Sequence, residues 1–217
     1  MLTEAKAEVL GALIGDKKLF KKTHRYGHYH GYDLSRYYKC VTAICLGADR
    51  DWGDHLSKLI LGEYGVRGSI FFSQNEWVFE CSSTRLFEDL AQFYEPGWRA
   101  RTWRLKEIIF DSPKAVRERL VRGYFDADGT PYYNEMRNRL IVRATSVNLA
   151  GLQDMKRLLI TLGFHPGIYR KASDESSWEL NVASLSDLKS FGSRIGFSII
   201  RKRAKLEKAL RAKGLNS

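Results

Sequence analysis

One succession of local patterns occurs twice along this chain, and it limits the fold more than any single segment does. A helical period, a hairpin, a second helical period, a second hairpin and a third helical period follow one another in residues 1–98 and again in residues 112–217. Gly65-Val66 and Gly163-Phe164 occupy the same place in the two halves. Self-similarity of this kind indicates an internal duplication. We therefore predict two halves joined by a charged, ordered linker at 99–111.

Local patterns within the halves predict helices and antiparallel hairpins, and hence an α+β fold. Thr3 is expected to cap the first helix, and Ser112 the helix that opens the second half, with Pro113 in its first turn. The predicted helices cover 5–15, 52–63, 84–93, 113–127, 149–162, 185–195 and 201–212, and the predicted strands lie within 19–46 and at 69–73, 76–82, 139–146, 167–170 and 178–183.

The chain carries a large excess of positive charge. Its 217 residues include 36 Lys and Arg against 25 Asp and Glu, so the formal net charge is +11. Such an excess favours a polyanionic partner, with nucleic acid first and an anionic membrane second, while a merely basic protein is the remaining interpretation. A hydrophobic content of 44% supports a packed core and argues against disorder.

The cysteines indicate a reducing compartment, and the apolar runs argue against a spanning helix. The 3 cysteines are odd in number and show no C-x-x-C spacing, which argues against a disulfide scaffold. No apolar run approaches the roughly 18 residues of a spanning helix, and the first residues lack the charged start and apolar core of a signal peptide. We expect a cytoplasmic, nucleoid-associated protein with no membrane partner.

Small residues recur at helical spacing in the first helix of each half. Gly11 and Gly15 are four residues apart, as are Gly123 and Ala127, so each pair lies on one helix face. A glycine inside a helix costs about 1 kcal/mol relative to alanine, which indicates a packing role. We expect the two stripes to form a helix interface in which the backbones approach closely.

Each of these helices ends in an aspartate, Asp16 or Asp128. A carboxylate at a helix C-terminus faces the negative end of the dipole, which is unfavourable. A single Asp-Gly after a helix usually marks a turn, but here the arrangement occurs in both halves. If the stripes pack together, the two carboxylates and the terminal carbonyls, those of Gly15 and Ala127, form an anionic pocket. Oxygen ligands of this type suit Mg²⁺, with Mn²⁺ as a substitute, and we predict these four residues as metal ligands.

The segment Gly123-Tyr-Phe-Asp-Ala-Asp-Gly129 resembles the signature of the LAGLIDADG homing endonucleases, and Leu10-Gly-Ala-Leu-Ile-Gly-Asp16 resembles a diverged first copy of it. Through the duplicated layout the resemblance covers essentially the whole chain, and it is to the single-chain, two-motif enzymes of archaeal introns. It implies two pseudo-symmetric αββαββα halves, whose motif helices meet at a pseudo-twofold interface and whose saddle-shaped sheets lie in DNA grooves. It also implies a monomer that cleaves both strands of a long asymmetric DNA target, with catalytic Asp16 and Asp128 binding Mg²⁺.

Two departures from the family pattern lie just after the motifs. Lys17-Lys18 follow Asp16 where the family often has glycine, and Pro131 stands where some relatives place a basic residue. The two half-sites are therefore expected to differ in rate.

The resemblance further implies a Lys or Arg near each active site, contributed from outside the motifs. Arg201 resembles such a position in the second half, and Arg99 and Arg101 are the candidates in the first. Arg143 could instead approach the scissile phosphate from its strand, so we predict Arg201 and Arg143 as catalytic. Each of these has the alternative of an ordinary phosphate contact or a solvated charge.

Basic and aromatic residues crowd the first long hairpin. Such a β-ribbon can enter the major groove, although an exposed loop with scattered charge has the same composition. The predicted DNA contacts of the first half are Lys17, Lys18, Lys21, Lys22, Arg25, Tyr29, Arg36 and Lys39, and those of the second half are Arg137, Arg139, Arg143, Arg170 and Lys171. The nearby His24, His28 and His30 have no cysteine pair or acidic partner at metal spacing, so no zinc site is predicted.

Three functions remain open at this point. A site-specific DNA endonuclease is favoured because both motif aspartates are present. The alternatives on the same fold are an RNA maturase that assists intron splicing and a non-catalytic DNA-binding regulator.

Overall fold

The computed structural model describes residues 1–16, 18–24, 37–95 and 102–215. For residues 16, 18–24, 37–41 and 94–95 it describes the backbone only. None of the helices in these ranges is long and apolar enough to cross a membrane.

The first half consists of helices on one face of an antiparallel sheet. The helices are α1 (Glu4–Asp16), α2 (Arg50–Tyr64) and α3 (Thr84–Leu90), and the strands are β1 (Lys18–His24), β2 (Tyr37–Gly47), β3 (Ser69–Ser73) and β4 (Glu76–Ser82). The strand order is β1-β2-β4-β3. The predicted order of elements is therefore present, although α3 ends at Leu90 rather than at residue 93, since 91–93 form turns.

A short pair of strands, β5 (Tyr94–Glu95) and β6 (Arg104–Leu105), lies between the halves, followed by a 3-10 turn at Glu107–Ile109. The guanidinium of Arg104 donates to both carboxylate oxygens of Asp154 at 2.7 and 2.9 Å, and the amide of Leu105 donates to the same carboxylate at 3.0 Å. The described part of the predicted linker is thus anchored on the second half. The proposed boundaries at 98, 99, 111 and 112 stay predictions.

The second half repeats the plan of the first and adds a helix. Its helices are α4 (Lys114–Asp128), α5 (Leu149–Thr161), α6 (Leu185–Ser190) and α7 (Ile200–Ala212), with a π-helical turn at Phe191–Ile195; its strands are β7 (Gly129–Asn134), β8 (Arg139–Ser146), β9 (Gly167–Arg170) and β10 (Trp178–Val182). The strand order β7-β8-β10-β9 matches that of the first sheet position for position. The predicted α+β class and the αββαββα order of each half are confirmed.

Each of these two sheets buries one face and leaves the other open. Phe79 and Cys81 of β4 are buried, as are Leu140 and Val142 of β8, as the alternation in the sequence predicts. On the opposite face of the second sheet Tyr169 is 59% exposed. We refer to this open side of the second sheet as its outer face.

Hydroxyl and amide side chains start several of these helices. The Oγ1 of Thr3 accepts from the amide of Lys6 at 3.2 Å, which confirms the predicted cap of α1. The prediction for Ser112 was wrong, because α4 begins at Lys114 with Pro113 as its N-cap residue. Ser112 instead donates its hydroxyl to the carbonyl of Ile108 at 2.9 Å, so the turn before the helix uses this side chain.

Candidate catalytic centre and nucleic-acid interface

The two halves meet where α1 packs against α4. A Cβ built on Gly11 would lie 2.1 Å from the carbonyl oxygen of Leu120, and one built on Gly123 would lie 2.0 Å from that of Glu8. Neither site has room for any side chain, because the neighbouring atoms belong to helix backbone. The structure therefore brings these two glycines together at a backbone-to-backbone contact, which we call the seam.

The seam continues to the C-terminal ends of both helices. A Cβ on Gly15 would lie 2.4 Å from the Cβ of Ala127 and 3.5 Å from the carboxylate carbon of Asp128. Asp16 is the last residue of α1, and its side chain lies outside the described atoms. The end of α1 and the carboxylate that ends α4 are therefore immediate neighbours.

The local chemistry fits a hard divalent cation. Carboxylate and main-chain carbonyl oxygens are the donors that Mg²⁺ accepts, and Mg²⁺ usually keeps several waters and binds through one or two carboxylates. No group of three or more His, Cys, Asp or Glu side chains converges anywhere in the described ranges. A cation held here would therefore draw most of its ligands from the two helix ends, water and substrate oxygens.

A second aspartate of the motif, Asp126, joins α4 to the start of α7. It is 1% exposed, and its Oδ1 accepts from the amides of Ser198 and Ile199 at 3.0 and 3.4 Å. The hydroxyl of Ser198 donates to its Oδ2. Burial raises the pKa of Asp126 to about 6, against the lowering effect of these hydrogen bonds. This carboxylate therefore fixes the chain entering α7 against the motif helix.

Lys202 is the basic residue that the structure places at the end of α4, whereas its place in a basic helix predicted a position beside DNA or solvent. Its Nζ donates to the carbonyl of Asp126 at 2.5 Å and lies 3.5 Å from that of Phe125. The residue is 6% exposed, and burial lowers the pKa of Lys202 to about 8. The signal was present in the sequence, because residue 202 lies on the same helical stripe as the buried Leu206 and Ala209.

The predicted catalytic residue Arg201 lies one position away and faces a different partner. Its Nε and one terminal nitrogen donate to the two carboxylate oxygens of Asp49 at 2.6 and 2.8 Å. Beside this ion pair, the main-chain amide of Ile200 donates to the carboxylate of Asp51 at 3.1 Å. The start of α7 is thereby bound to the start of α2 in the other half, and a catalytic role for Arg201 stays a prediction.

Arg143 lies on the outer face of the second sheet, close in register to the motif. It pairs with Thr130, two residues after Asp128. One terminal nitrogen lies 3.2 Å from the carboxylate of Glu179, and the guanidinium carbon lies 4.8 Å from the centre of the Tyr132 ring. The side chain is thus held on the open face near the end of α4.

The other predicted DNA contacts of the second half occupy different places. Arg137 and Arg139 are exposed at the β7–β8 turn and the start of β8. Arg170 instead shares the inner face with the ring of Trp178, 5.9 Å away, and donates to the carbonyl of Glu175 at 2.9 Å. The Arg170 side chain is exposed, and its DNA contact stays a prediction. Lys171 is half-buried just after β9.

The first long hairpin is described only in part. Lys17, Arg25, Tyr29 and Arg36 lie outside the described residues, as do the candidates Arg99 and Arg101. Lys18, Lys21 and Lys22 lie on β1 and Lys39 on β2, where Lys22 pairs with Lys39. Their predicted roles stay predictions.

Comparison with known proteins finds one matching family model and several similar proteins. Residues 115–196 match the model of a LAGLIDADG-like domain. The chain is 28% identical over 183 residues to the homing endonuclease I-ApeI of Aeropyrum pernix, covering 81% of this chain and 80% of that protein. It is 34% identical over 118 residues to a probable translation initiation factor IF-2 of Thermococcus kodakarensis, of which it spans only 10%.

A solved structure has the same fold as this chain. The crystal structure of I-DmoI in complex with DNA and Mn superposes with a TM-score of 0.65 at 20% identity, covering 90% of this chain and 97% of that one. The matched segment, the paired motif helices and the repeated αββαββα halves agree with one another. Residues 115–196 thus match the LAGLIDADG-like domain, and the chain has the fold of I-DmoI with both motif helices, α1 and α4, in a single polypeptide.

Proposed function

We propose that this chain is a site-specific DNA endonuclease that cuts both strands of a long asymmetric duplex. The observation that carries the proposal is the contact between the C-terminal ends of α1 and α4, where the Asp128 carboxylate lies against Gly15, next to Asp16. One acidic helix end from each half gives one reactive group for each DNA strand. The similarity to the homing endonuclease I-ApeI supports the same conclusion.

Double-stranded DNA is the substrate that the surface favours. The formal net charge is +11. The outer face of the second sheet presents Arg139 and Arg143 together with the exposed rings of Tyr132 and Tyr169. Basic groups bind phosphates and release counterions, while a β-ribbon can reach base edges in the major groove. The I-DmoI structure with this fold is itself a complex with DNA.

We propose Mg²⁺ as the metal, with Mn²⁺ as a substitute. Asp16 and Asp128 would hold it, together with the carbonyls of Gly15 and Ala127. The bound cation would supply an activated water and neutralise charge on the phosphate. The seam would keep Asp16 and Asp128 close together, because neither helix end can move without separating a backbone contact.

Two basic residues would assist the chemistry. The ammonium group of Lys202 would offset the negative end of the α4 dipole and would give a proton to a leaving oxygen. Arg143, which pairs with Thr130 two residues after Asp128, would contact the scissile phosphate from the outer face. Both assignments rest on position at the end of the motif helix.

The proposal is tested with a pool of random DNA duplexes, because no target sequence is needed in advance. The protein is incubated with the pool and Mg²⁺, and cut molecules are captured by adaptor ligation and sequenced. We expect one family of related sites, cut in both strands, and no cutting with EDTA. Binding of duplex without any cutting would favour the regulator, and binding of intron RNA alone would favour the maturase.

A further inference from the structure

A groove of about 200 Å³ lies on the outer face of the second sheet. Arg139, His165 and Tyr169 stand along it, and Ile141, Gly167 and Asn181 lie within it; Ala183 and Ser184 close one end. All but the last two belong to β8, β9, β10 or the residues just before β9. This groove opens on the side of the sheet that the proposed function assigns to DNA.

Asn181 occupies the centre of this groove. It pairs with Arg143 of β8 on one side and with Gly167 of β9 on the other. Because Gly167 has no side chain, the ring of Tyr169 can occupy the space above it, beside Asn181. A Cβ at residue 167 would lie 2.5 Å from the hydroxyl of Tyr169, so the tyrosine ring leans over the glycine and forms a wall.

The Asn181 amide also has an unused acceptor. Its Oδ1 is buried and finds no hydrogen-bond donor among the residues that the structure describes. Buried polar atoms nearly always have a partner, so an exception within a groove points to a donor that a ligand brings. The last torsion of asparagine is broad, and its rotation presents both the oxygen and the NH₂ group to the groove.

We propose that Asn181 reads one adenine in the second half-site of the DNA target, an inference that rests on the proposed function. The side-chain amide accepts from adenine N6 and donates to adenine N7, a pairing that no other base edge in the major groove offers to it. Arg139 and Tyr169 bound the groove and hold the base pair in register with the amide. Asn181 is therefore a specificity-determining residue.

The experiment is a binding selection from random duplexes with the full chain and three variants. The wild-type pool is expected to enrich adenine at one position, and Asn181→Ala to lose about tenfold of that preference there alone. Asn181→Asp should change the preference toward cytosine, because a carboxylate accepts from cytosine N4. Asn134→Ala is the matched control, since the Oδ1 of Asn134 already accepts from the amide of Arg137 at 3.0 Å.

Other outcomes overturn the inference in distinguishable ways. An unchanged base profile in Asn181→Ala, or equal weakening at every position, would mean that Asn181 reads no base. In that case the wild-type protein would still bind and cut, so the proposed function would survive. A wild-type protein that enriches no sequence would contradict both the adenine readout and the proposed function. Thermal unfolding of each variant tests whether it is folded. The cytosine preference expected of Asn181→Asp is a gained signal, so misfolding of the variant cannot produce it.

Discussion

At the scale of single residues, two neighbours on α7 have separate roles. Arg201 lies in a two-point ion pair with Asp49 of the first half, while Lys202 points into the protein and donates to the end of α4. Both residues are cations and adjacent in the sequence, so only their tertiary contacts distinguish their roles. Arg201 was predicted as catalytic from its resemblance to a basic position of the family, and its ion pair with Asp49, 152 positions away, was not predictable from a local pattern.

Replacing Lys202 tests whether it acts in the reaction. We expect Lys202→Met to lower the single-turnover cleavage rate by about 100-fold while DNA affinity changes less than about threefold. Burial lowers the pKa of Lys202 to about 8, so the wild-type rate should fall as the pH rises through that value and the ammonium loses its proton. The variant should lack this decline. Exposed Lys205 on the same helix supplies the control, Lys205→Met; a wild-type rate in Lys202→Met would restrict Lys202 to capping α4.

Replacing Arg201 tests whether it joins the halves. Asp49 is 6% exposed, so removing the guanidinium in Arg201→Gln leaves a buried charge and should cost about 2–4 kcal/mol of unfolding free energy. Adding Asp49→Asn removes that charge and should restore at least half of the loss. Urea unfolding of the wild type, both single variants and the double variant measures the coupling. Strictly additive effects would contradict a clamp between Arg201 and Asp49.

At the scale of elements, the seam between α1 and α4 is the contact that positions the site. Gly11→Ala would place a methyl group 2.1 Å from a helix carbonyl oxygen. Since backbone cannot move aside cheaply, we expect a loss of more than about 3 kcal/mol in unfolding free energy. Gly62→Ala on α2 is the matched control, because nothing lies within 4 Å of its added methyl group. This control should gain about 0.5–1 kcal/mol.

Equal, small effects of the two alanine substitutions on the unfolding free energy would contradict the seam. Cleavage adds a second readout, because separation of the helix ends should lower activity even in the fraction that stays folded. Chemical unfolding monitored by circular dichroism gives the free energies, and cleavage is then measured at a temperature below both transitions.

Most elements were predictable because their patterns are local. The hairpin of β3 and β4 was predicted with the observed bounds, since alternating apolar residues flank the Gln74-Asn75 turn, where both residues have positive φ. The start of α4 was predicted one residue early, at Pro113, because Ser112 and Pro113 together form a good start signal. In the structure the Ser112 hydroxyl donates to the carbonyl of Ile108 in the preceding turn and does not cap the helix. A local pattern does not show which of these two partners the hydroxyl takes.

The end of the chain shows a second limit of local patterns. A single helix was predicted over 185–195, but α6 ends at Ser190 and a π-helical turn follows to Ile195. The amide of Gly196, at φ 61°, donates to the carbonyl of Phe191 at 2.7 Å and closes that turn. The wider turn leads the chain toward Asp126, so a tertiary contact decides the local geometry.

At the scale of the whole molecule, contacts made by the linker and by the start of α7 hold the two halves together. The residues of β6, which follow the first half, bind Asp154 of α5, and the start of α7, in the second half, binds Asp49 and Asp51 of the first. These contacts hold the two halves in one relative position in addition to the seam. The duplication was predictable from the sequence, whereas these contacts were not, because they join residues with no shared pattern.

The central claim is that the seam holds Asp16 and Asp128 at adjoining positions, each needed to cut one strand. The most direct measurement uses a selected duplex labelled at both 5′ ends, with Mg²⁺, and follows each strand separately in the wild type, Asp16→Asn and Asp128→Asn. Asp54→Asn, an exposed aspartate on α2, is the control. The wild type and the control are expected to cut both strands, and either motif variant to bind the duplex without double-strand cleavage. Full cleavage of both strands by either motif variant would contradict the claim.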